Sequence, residues 1–598
     1  MRSDLISRRD LEFLLYEWLK AEELTGRDRF ADHSRETFDG FLDLCEDLAT
    51  RYFAPHNKRN DAEEPTFDGE KVTIIPEVKA AIEAFGKANL VGAGMDETVG
   101  GMQLPSVVEA AGFSWFQAAN VGTTAYPFLT IGNANLLAAH GSADQVERFV
   151  KPMVEGRFTG TMCLSEPQAG SSLADIVTRA EPRADGTYRL FGAKMWISGG
   201  EHDLTENIVH LVLAKIPGSP AGTKGISLFV VPKHLVEADG SLGERNDVSL
   251  AGLNHKMGYR GTVNTALNFG EGRHTPGGEP GAVGYLIGEP NRGLSYMFHM
   301  MNEARLGVGL GATALGYTAY LKSLRYARER AQGRPVTAKD PAAPQVPIIE
   351  HTDVKRMLLA QKSYVEGALA LLLYCHRLVD LSETADTAEA AREHTLLLEI
   401  LTGVAKSWPS QWCREANDLA IQVHGGYGYT REYDVEQHYR DNRLNPIHEG
   451  THGIQGMDLL GRKVIQHDGA SLKLLDRHVR ATVAAAGGLG GEAAEFAAAL
   501  DTSWQRLLTV TMTVLSAGDP AVTMANSTAY LEAFGHHVVA WIWLEQVLAT
   551  HGREGDFYAG KRAAARYFFR YELPRTGPQL DLLASLDRTT LEMEDAWF

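Results

Sequence analysis

The run NPIHEGTHGIQGMDLLGRKV, residues 445–464, decides how this chain is read. It sets one carboxylate, Glu449, in a sharp polar turn just before an apolar segment of helical period. Gly450 follows at once and lets the backbone approach a ligand closely. Thr451 adds a hydroxyl. An isolated Glu-Gly pair means little, because most glutamates are solvated surface groups. This one comes after IQVHGGYGYTREYDVEQHYRDNR, residues 421–443, which carries a glycine turn of its own.

Outward from this run the periodicity changes along the chain. Residues 1–160 read as a helical domain, with apolar positions at three and four in DLEFLLYEWLKAEEL and TIIPEVKAAIEAFGKANL. Residues 161–284 read as a β domain. Its segments TYRLFG, KMWIS, IVHLVLAKI, GISLFVVP and VNTALNFG are short, rich in β-branched and aromatic residues, and parted by turn formers. GEGRHTPGGEPGAVG, residues 270–284, reads as a loop by composition. Long helical periods return over residues 285–468. A Gly/Ala-rich break then leads into a helical extension, residues 469–598.

The bulk composition bounds the function. A chain of 598 residues exceeds one hydrophobic core, so several domains are expected. Its 44% hydrophobic and 22% charged content is that of a globular protein, and the net charge of -18 argues against a nucleic-acid partner. The four cysteines are far apart and form no CxxC, which points to reduced thiols and a cytoplasmic setting. The N-terminus reads as an amphipathic helix, not a signal peptide. No apolar run approaches the roughly 20 residues of a membrane span.

Three further stretches carry chemistry. TMCLSEPQAGSSLAD, residues 161–175, runs from a strand into a Gly/Pro/Ser loop whose hydroxyls and amides suit polar ligand atoms, although a plain surface turn has the same composition. GAKMWISGG, residues 192–200, ends a strand in an open polar turn after Trp196, a residue type that is ordinarily core. Arg330 closes a helix before a loop, where an arginine is ordinarily a solvated cation.

Together with the Glu449 turn, these stretches resemble the acyl-CoA dehydrogenase family over about residues 67–468. The terminal extensions resemble the branch of roughly 600 residues that includes fatty acyl-CoA and 3-(methylthio)propanoyl-CoA dehydrogenases. The resemblance implies an α+β fold with an N-terminal helical domain, a middle β-barrel or sandwich, a C-terminal helical bundle and an extra C-terminal helical domain. It implies FAD held between the β domain and helices, and a homodimer. Glu449 would be the catalytic base that takes the α-proton of a saturated thioester, with Gly450 beside the substrate. Leu164 and Ser165 would meet the flavin, Trp196 would pack beside it, and Ser198 would hydrogen-bond its central ring. Ser171 would meet the CoA arm. Arg330, Gln422, Gly426 and Thr451 would hold the dinucleotide, and Arg305 would lie near the active site. No GxGxxG follows a strand, so no Rossmann site is expected.

Some members of the family carry the base on an earlier helix, at the position of Ala304 here. Alanine cannot serve, and Glu303 points about 100° away around the helix. The chain departs from the family in Ser172, where Asp is usual, and in His448, where Tyr is common. Gly453 stands where smaller members often have Gln. The implied reaction gives a trans-2-enoyl-CoA in fatty-acid β-oxidation, with electrons passed to electron-transfer flavoprotein. The alternatives are a 3-(methylthio)propanoyl-CoA dehydrogenase, an acyl-CoA oxidase, or a DNA-binding flavoprotein of the same fold. The excess of acid after Gly469 weighs against the last.

Overall fold

A computed structural model describes residues 4–337 and 339–598. Residues 1–3 of the N-terminal amphipathic segment and residue 338 of the loop before the second long helix lie outside the described residues. The chain divides into two compact units. One comprises Asp39–Leu104 and Ala119–Ala304; the other comprises Met1–Phe38, Pro105–Ala118 and Arg305–Phe598.

The first unit is built on helix α1 (Val121–His140) and an eight-stranded sheet. Its strands are β1 (Phe158–Cys163), β2 (Arg179–Pro182), β3 (Tyr188–Ser198), β4 (Asn207–Lys215), β5 (Ile226–Pro232), β6 (Val248–Leu253), β7 (Asn264–Phe269) and β8 (Ala282–Leu286). They run in the order β6-β7-β3-β8-β5-β4-β1, with β2 pairing β3 and β4. β1 lies parallel to β4, whereas β5 is antiparallel to it.

The strands β4 and β5 are apolar almost throughout because both faces of the sheet are covered. Alternate residues enter different cores. Val209, Leu211, Leu213, Leu228 and Val230 join Leu136, Phe149 and Met300 in one. Val212, Ala214, Phe229 and Val231 join Leu190, Ile197 and Leu267 in the other.

Two features differ from the sequence expectation. The helical N-terminal region holds a small hairpin, Thr66–Phe67 with Val72–Thr73. β8 begins inside the segment read as loop, at residue 282, and runs two residues beyond it, pairing with both β3 and β5. Its glycines hid it. A Cβ on Gly284 would lie 2.5 Å from the Leu190 side chain, so glycine is what lets this strand pack.

The second unit is helical. Helix α2 (Gly293–Glu329) is divided between the units at residues 304/305. Helices α3 (Thr352–Glu383) and α4 (Ala388–His424) pack against each other. The part of α2 beyond residue 304 approaches α4 at two glycines. A Cβ on Gly309 would meet the Ala405 carbonyl at 2.1 Å, and one on Gly316 would meet Cys413 at 2.8 Å. That close approach carries Arg305 and Lys406 into the same neighbourhood. Helix α5 (His452–Asp458) follows the Glu449 turn.

The extension folds as further helices, including Gly491–Leu515 and Ser527–Ala549. Ser527–Ala549 is largely buried and includes Trp541 and Trp543 in its core face. Among the described residues no helix is long and apolar enough to cross a membrane, and no disulfide forms. All four cysteines are buried.

Candidate active site

In the helical unit, Glu449 sits at the tip of the turn between residues 442 and 452. Its backbone is left-handed, with φ +54°, a conformation that costs a non-glycine residue on the order of 1–2 kcal/mol. Gly450 follows at φ +93°, and a Cβ there would come within 2.6 Å of Gln455 Nε2. Several groups hold this shape. Gln455 Nε2 donates to the Glu449 carbonyl (3.1 Å). The Thr451 hydroxyl accepts from Ile454 N (3.4 Å) and caps α5. Lys406 Nζ, from α4, donates to the carbonyls of Asn445 (2.8 Å) and Gly450 (2.7 Å).

A chain of buried amides fixes the other side of the turn. Asn445 Nδ2 donates to Asn442 Oδ1 (2.9 Å), and Asn442 Nδ2 donates to Asn417 Oδ1 (2.7 Å) and to the Ala312 carbonyl (3.0 Å). Asn417 Nδ2 donates to the Leu315 carbonyl (3.0 Å). The turn is thus tied to α2 and α4 together.

The Glu449 carboxyl is half-buried. Loss of water raises its pKa above the ordinary carboxylate range, against the opposing charges of Lys406 and Arg305. Arg305 is buried and faces Asp458 at 3.5 Å. Burial lowers its pKa, though Asp458 and Glu449 favour its charge. His448, where Tyr is common, hydrogen-bonds Asn445 Oδ1 (3.0 Å). Burial and Lys406 hold its pKa down to about 3, so it is neutral beside Glu449 and adds no charge there. Ala304 is buried, and Glu303, on the sheet unit, accepts from Asn135 Nδ2 (2.8 Å) as a structural group.

The same helical unit brings Arg330 to Tyr427, with the guanidinium 5.7 Å from the ring centre. Arg330 Nη2 also donates to Gln332 Oε1 (2.9 Å). Gln422, Gly426 and Tyr427 are exposed around the turn at Gly425, whose φ is +62°. The sequence reading passed over Tyr427 and singled out Arg330.

In the sheet unit, Trp196 is 62% exposed, contrary to the ordinary fate of a tryptophan. Its φ of +65° comes from a bulge in β3. Thr265 pairs with Ile197 and Leu267 with Lys194, so β3 holds one extra residue there. The bulge turns the indole out of the core. Ser198 Oγ accepts from Asn264 Nδ2 (3.1 Å), which leaves the hydroxyl proton to donate elsewhere.

The loop of residues 164–175 is tied to this strand, because Met195 N donates to the Ser165 carbonyl (3.0 Å) and Lys194 Nζ to the Leu164 carbonyl (3.1 Å). Leu164 is buried, Ser165 half-buried and Ser171 exposed. Ser172, the departure from Asp, donates to Asp175 Oδ2, so a carboxylate three residues on serves the loop. Glu166 anchors it. Its carboxylate accepts from Val177 N (2.7 Å), Thr178 N (3.1 Å) and Lys194 Nζ (2.9 Å), and its pKa falls to about 2. Burial raises that pKa, and the Lys194 charge and the hydrogen bonds outweigh it.

A cavity of about 420 Å³ lies elsewhere in this unit, lined by Lys71, Lys233, Arg245 and Arg273 among others. Its walls answer much of their own charge, as Glu201 pairs with both Lys233 and Arg245. It holds none of the residues singled out from the sequence.

Four domains of known proteins match the chain in order. They are the acyl-CoA dehydrogenase N-terminal domain over residues 36–157, the middle domain over 161–271, the C-terminal domain over 291–465, and an acetyl-CoA dehydrogenase C-terminal-like domain over 475–594. The chain is 35% identical over 576 residues to the 3-methylmercaptopropionyl-CoA dehydrogenase of Ruegeria pomeroyi, covering 94% of each protein. It is 32% identical over 616 residues to the broad-specificity linear acyl-CoA dehydrogenase FadE5 of Mycobacterium tuberculosis, covering 99% of each. The structure of an acyl-CoA dehydrogenase complexed with FAD from Bacillus anthracis shares the fold, with a TM-score of 0.72 at 19% identity over 96% of this chain and 94% of that one. The chain belongs to the acyl-CoA dehydrogenase family of FAD-dependent oxidoreductases that act on CH–CH bonds.

Proposed function

We propose that this enzyme converts a saturated acyl-CoA into a trans-2-enoyl-CoA with Glu449 as the base. The observation that carries the reading is the carboxyl itself, poised on a turn locked in a left-handed shape and raised in pKa by burial. The α-proton of a thioester is too weakly acidic for a carboxylate in open water, and desolvation strengthens the base. Glu449 takes the α-proton at its carboxylate, and its own main-chain amide polarises the thioester oxygen.

The residues present suit FAD. An outward indole, Trp196, offers a face to a planar ring system, and Ser198 keeps a donor. Half-buried Arg330 offers a fork for a pyrophosphate, and Gly426 has open space where a Cβ would sit. Leu164, Ser165, Gln422 and Thr451 complete the residues that would hold the cofactor; Ser171, Arg305 and Gly450 would serve the substrate. Bound FAD supplies an acceptor for the electron pair lost with the β-hydrogen.

The test is Glu449→Gln, which keeps size and reach and cannot take the proton. Substrate-driven bleaching of the yellow protein should slow at least about a hundredfold. FAD should stay bound and substrate affinity should change little. Bleaching at nearly the wild-type rate would return the search to the earlier helix, with Glu303→Gln as the comparison.

For the acyl group, the similarity to a broad-specificity linear acyl-CoA dehydrogenase favours fatty acyl-CoA and β-oxidation. A second reading, 3-(methylthio)propanoyl-CoA, is favoured by the 35% identity to the Ruegeria enzyme. Turnover across a chain-length series that includes the methylthio compound decides between them. Electrons then pass to electron-transfer flavoprotein. Fast turnover with a ferricenium dye and slow turnover with oxygen is expected; peroxide formed as fast as the dye is reduced would mark an oxidase.

A further inference from the structure

Lys406 lies 43 residues before Glu449 in sequence and has no part in the residues singled out above as touching cofactor or substrate. Its ammonium is buried and donates to two main-chain carbonyls, Asn445 (2.8 Å) and Gly450 (2.7 Å). These two carbonyls flank the base on either side, so one side chain closes the turn like a staple. We propose that Lys406 is the positioning residue of the base, holding the Glu449 turn closed and supplying the positive charge against which the carboxylate ionises. The inference rests on the reading of Glu449 as the base.

The surrounding charges single Lys406 out. From α2, Arg305 also faces the carboxyl, but Asp458 lies 3.5 Å from it and answers part of its charge. Asp458 in turn pairs with Arg462 (2.6 Å). On the turn, His448 is held neutral, with a pKa near 3. From α5, His452 is likewise held down, to about 4, by burial and by the charges of Lys406, Arg414 and Arg443. Among the described residues, Glu449 is the one acid that acts on Lys406. Burial drives its own pKa down to about 7, opposed by Glu449 and reinforced by Arg305. An amine of this kind fits the staple, since even its neutral form keeps two N–H donors.

The sign follows. Lys406 and Arg305 lower a carboxyl pKa that burial raises. Removing the Lys406 charge moves that pKa further up and leaves less carboxylate at neutral pH. An unpaired charge beside a carboxyl is worth on the order of one pKa unit or more.

The experiment compares the holoenzyme with Lys406→Met, Lys406→Gln and Lys406→Arg. One readout is the rising limb of the pH profile of kcat. The other is the infrared band of the protonated Glu449 carboxyl, assigned by its loss in Glu449→Gln and titrated without substrate. In both neutral variants the limb and the infrared midpoint should move together to higher pH by about one unit. On the rising limb, below the midpoint, kcat at a given pH should fall about tenfold, and KM should change little. Lys406→Arg should keep the wild-type midpoint.

Lys406→Met removes the donor to two carbonyls and risks misfolding; Lys406→Gln keeps a donor and then decides. Unmoved midpoints in a folded neutral variant overturn the proposal, including the case where kcat drops equally at every pH. Loss of folding in both neutral variants also overturns it, by making Lys406 a structural support alone. Full turnover by Glu449→Gln sinks the base assignment separately, because the infrared midpoint reports the link from Lys406 to Glu449 whichever group is the base.

Discussion

At the scale of single residues, two side chains sit where their types are rarely found. Glu449 is left-handed without being glycine, and Trp196 is left-handed and exposed. Strain of this kind persists only where the surroundings over-determine it. For Glu449 the surroundings are Lys406, Gln455 and the Asn445–Asn442–Asn417 chain; for Trp196 they are the paired residues on both sides of the bulge. Because burial holds the Glu449 pKa up, its carboxylate form grows in only above the ordinary carboxylate range. Activity should therefore rise with pH across that higher range, and a limb at the ordinary glutamate value would show a solvated base. Trp196→Ala should leave thermal stability within about 0.5 kcal/mol of wild type, as expected for an exposed side chain. It should still weaken FAD binding measurably in a fluorescence titration of the apoprotein. Unchanged FAD affinity would remove Trp196 from the cofactor site.

Among the elements, the loop of residues 164–175 shows what the sequence makes legible and what it hides. Its composition reads as a ligand loop, and the motif places Leu164, Ser165 and Ser171. Glu166 is not among them. Its importance comes from Lys194 on β3 and from the Val177 and Thr178 amides, contacts that no local pattern announces. The same holds for Lys406, whose partners lie about forty residues away. The strands β4 and β5 are plain in sequence because continuous apolar runs mark a sheet covered on both faces; β8 is not, because its glycine serves packing and looks like a turn.

The loop anchor gives its own test. The Glu166 side chain is 1% exposed, and its pKa lies at about 2, below its ordinary 4.5. Its stabilising contribution is complete above the unfolded value and is lost as pH falls toward 2. Glu166→Gln leaves Lys194 buried without its carboxylate and should cost about 3 kcal/mol. Thermal unfolding followed by circular dichroism measures that cost. The variant should also lose the acid-side decline between pH 4.5 and 2 that this carboxylate contributes. A variant as stable as wild type at pH 7 would mean that the loop does not depend on this pair.

On the scale of the molecule, the helical unit gathers segments from the start, middle and end of the chain, and a buried charge cluster joins them. Lys561, from the helix Asp556–Tyr567, is 1% exposed. It pairs with Asp10 near the N-terminus and with Glu366 Oε2 of α3 at 3.0 Å. Lys362 pairs with Glu366, and Tyr317 donates to Asp10 Oδ2 (3.0 Å). Gln546 accepts from Lys561 (3.1 Å), and the Phe13 ring lies 5.2 Å from its ammonium. Two lysines thus face two carboxylates, and of the four only Lys362 is not fully buried. Such a cluster adds little net stability over an apolar substitute, but removing one member leaves a charge stranded, at a cost of about 3–5 kcal/mol. Lys561→Met should therefore lower the unfolding temperature clearly, and Asp10→Asn should do so as well. In Lys561→Met with Asp10→Asn the stranded charge is gone, and the double variant should be more stable than the sum of the two losses allows. If the two losses add without coupling, the N-terminal segment and the extension are joined by packing around Phe13, Phe557 and Trp543, not by charge.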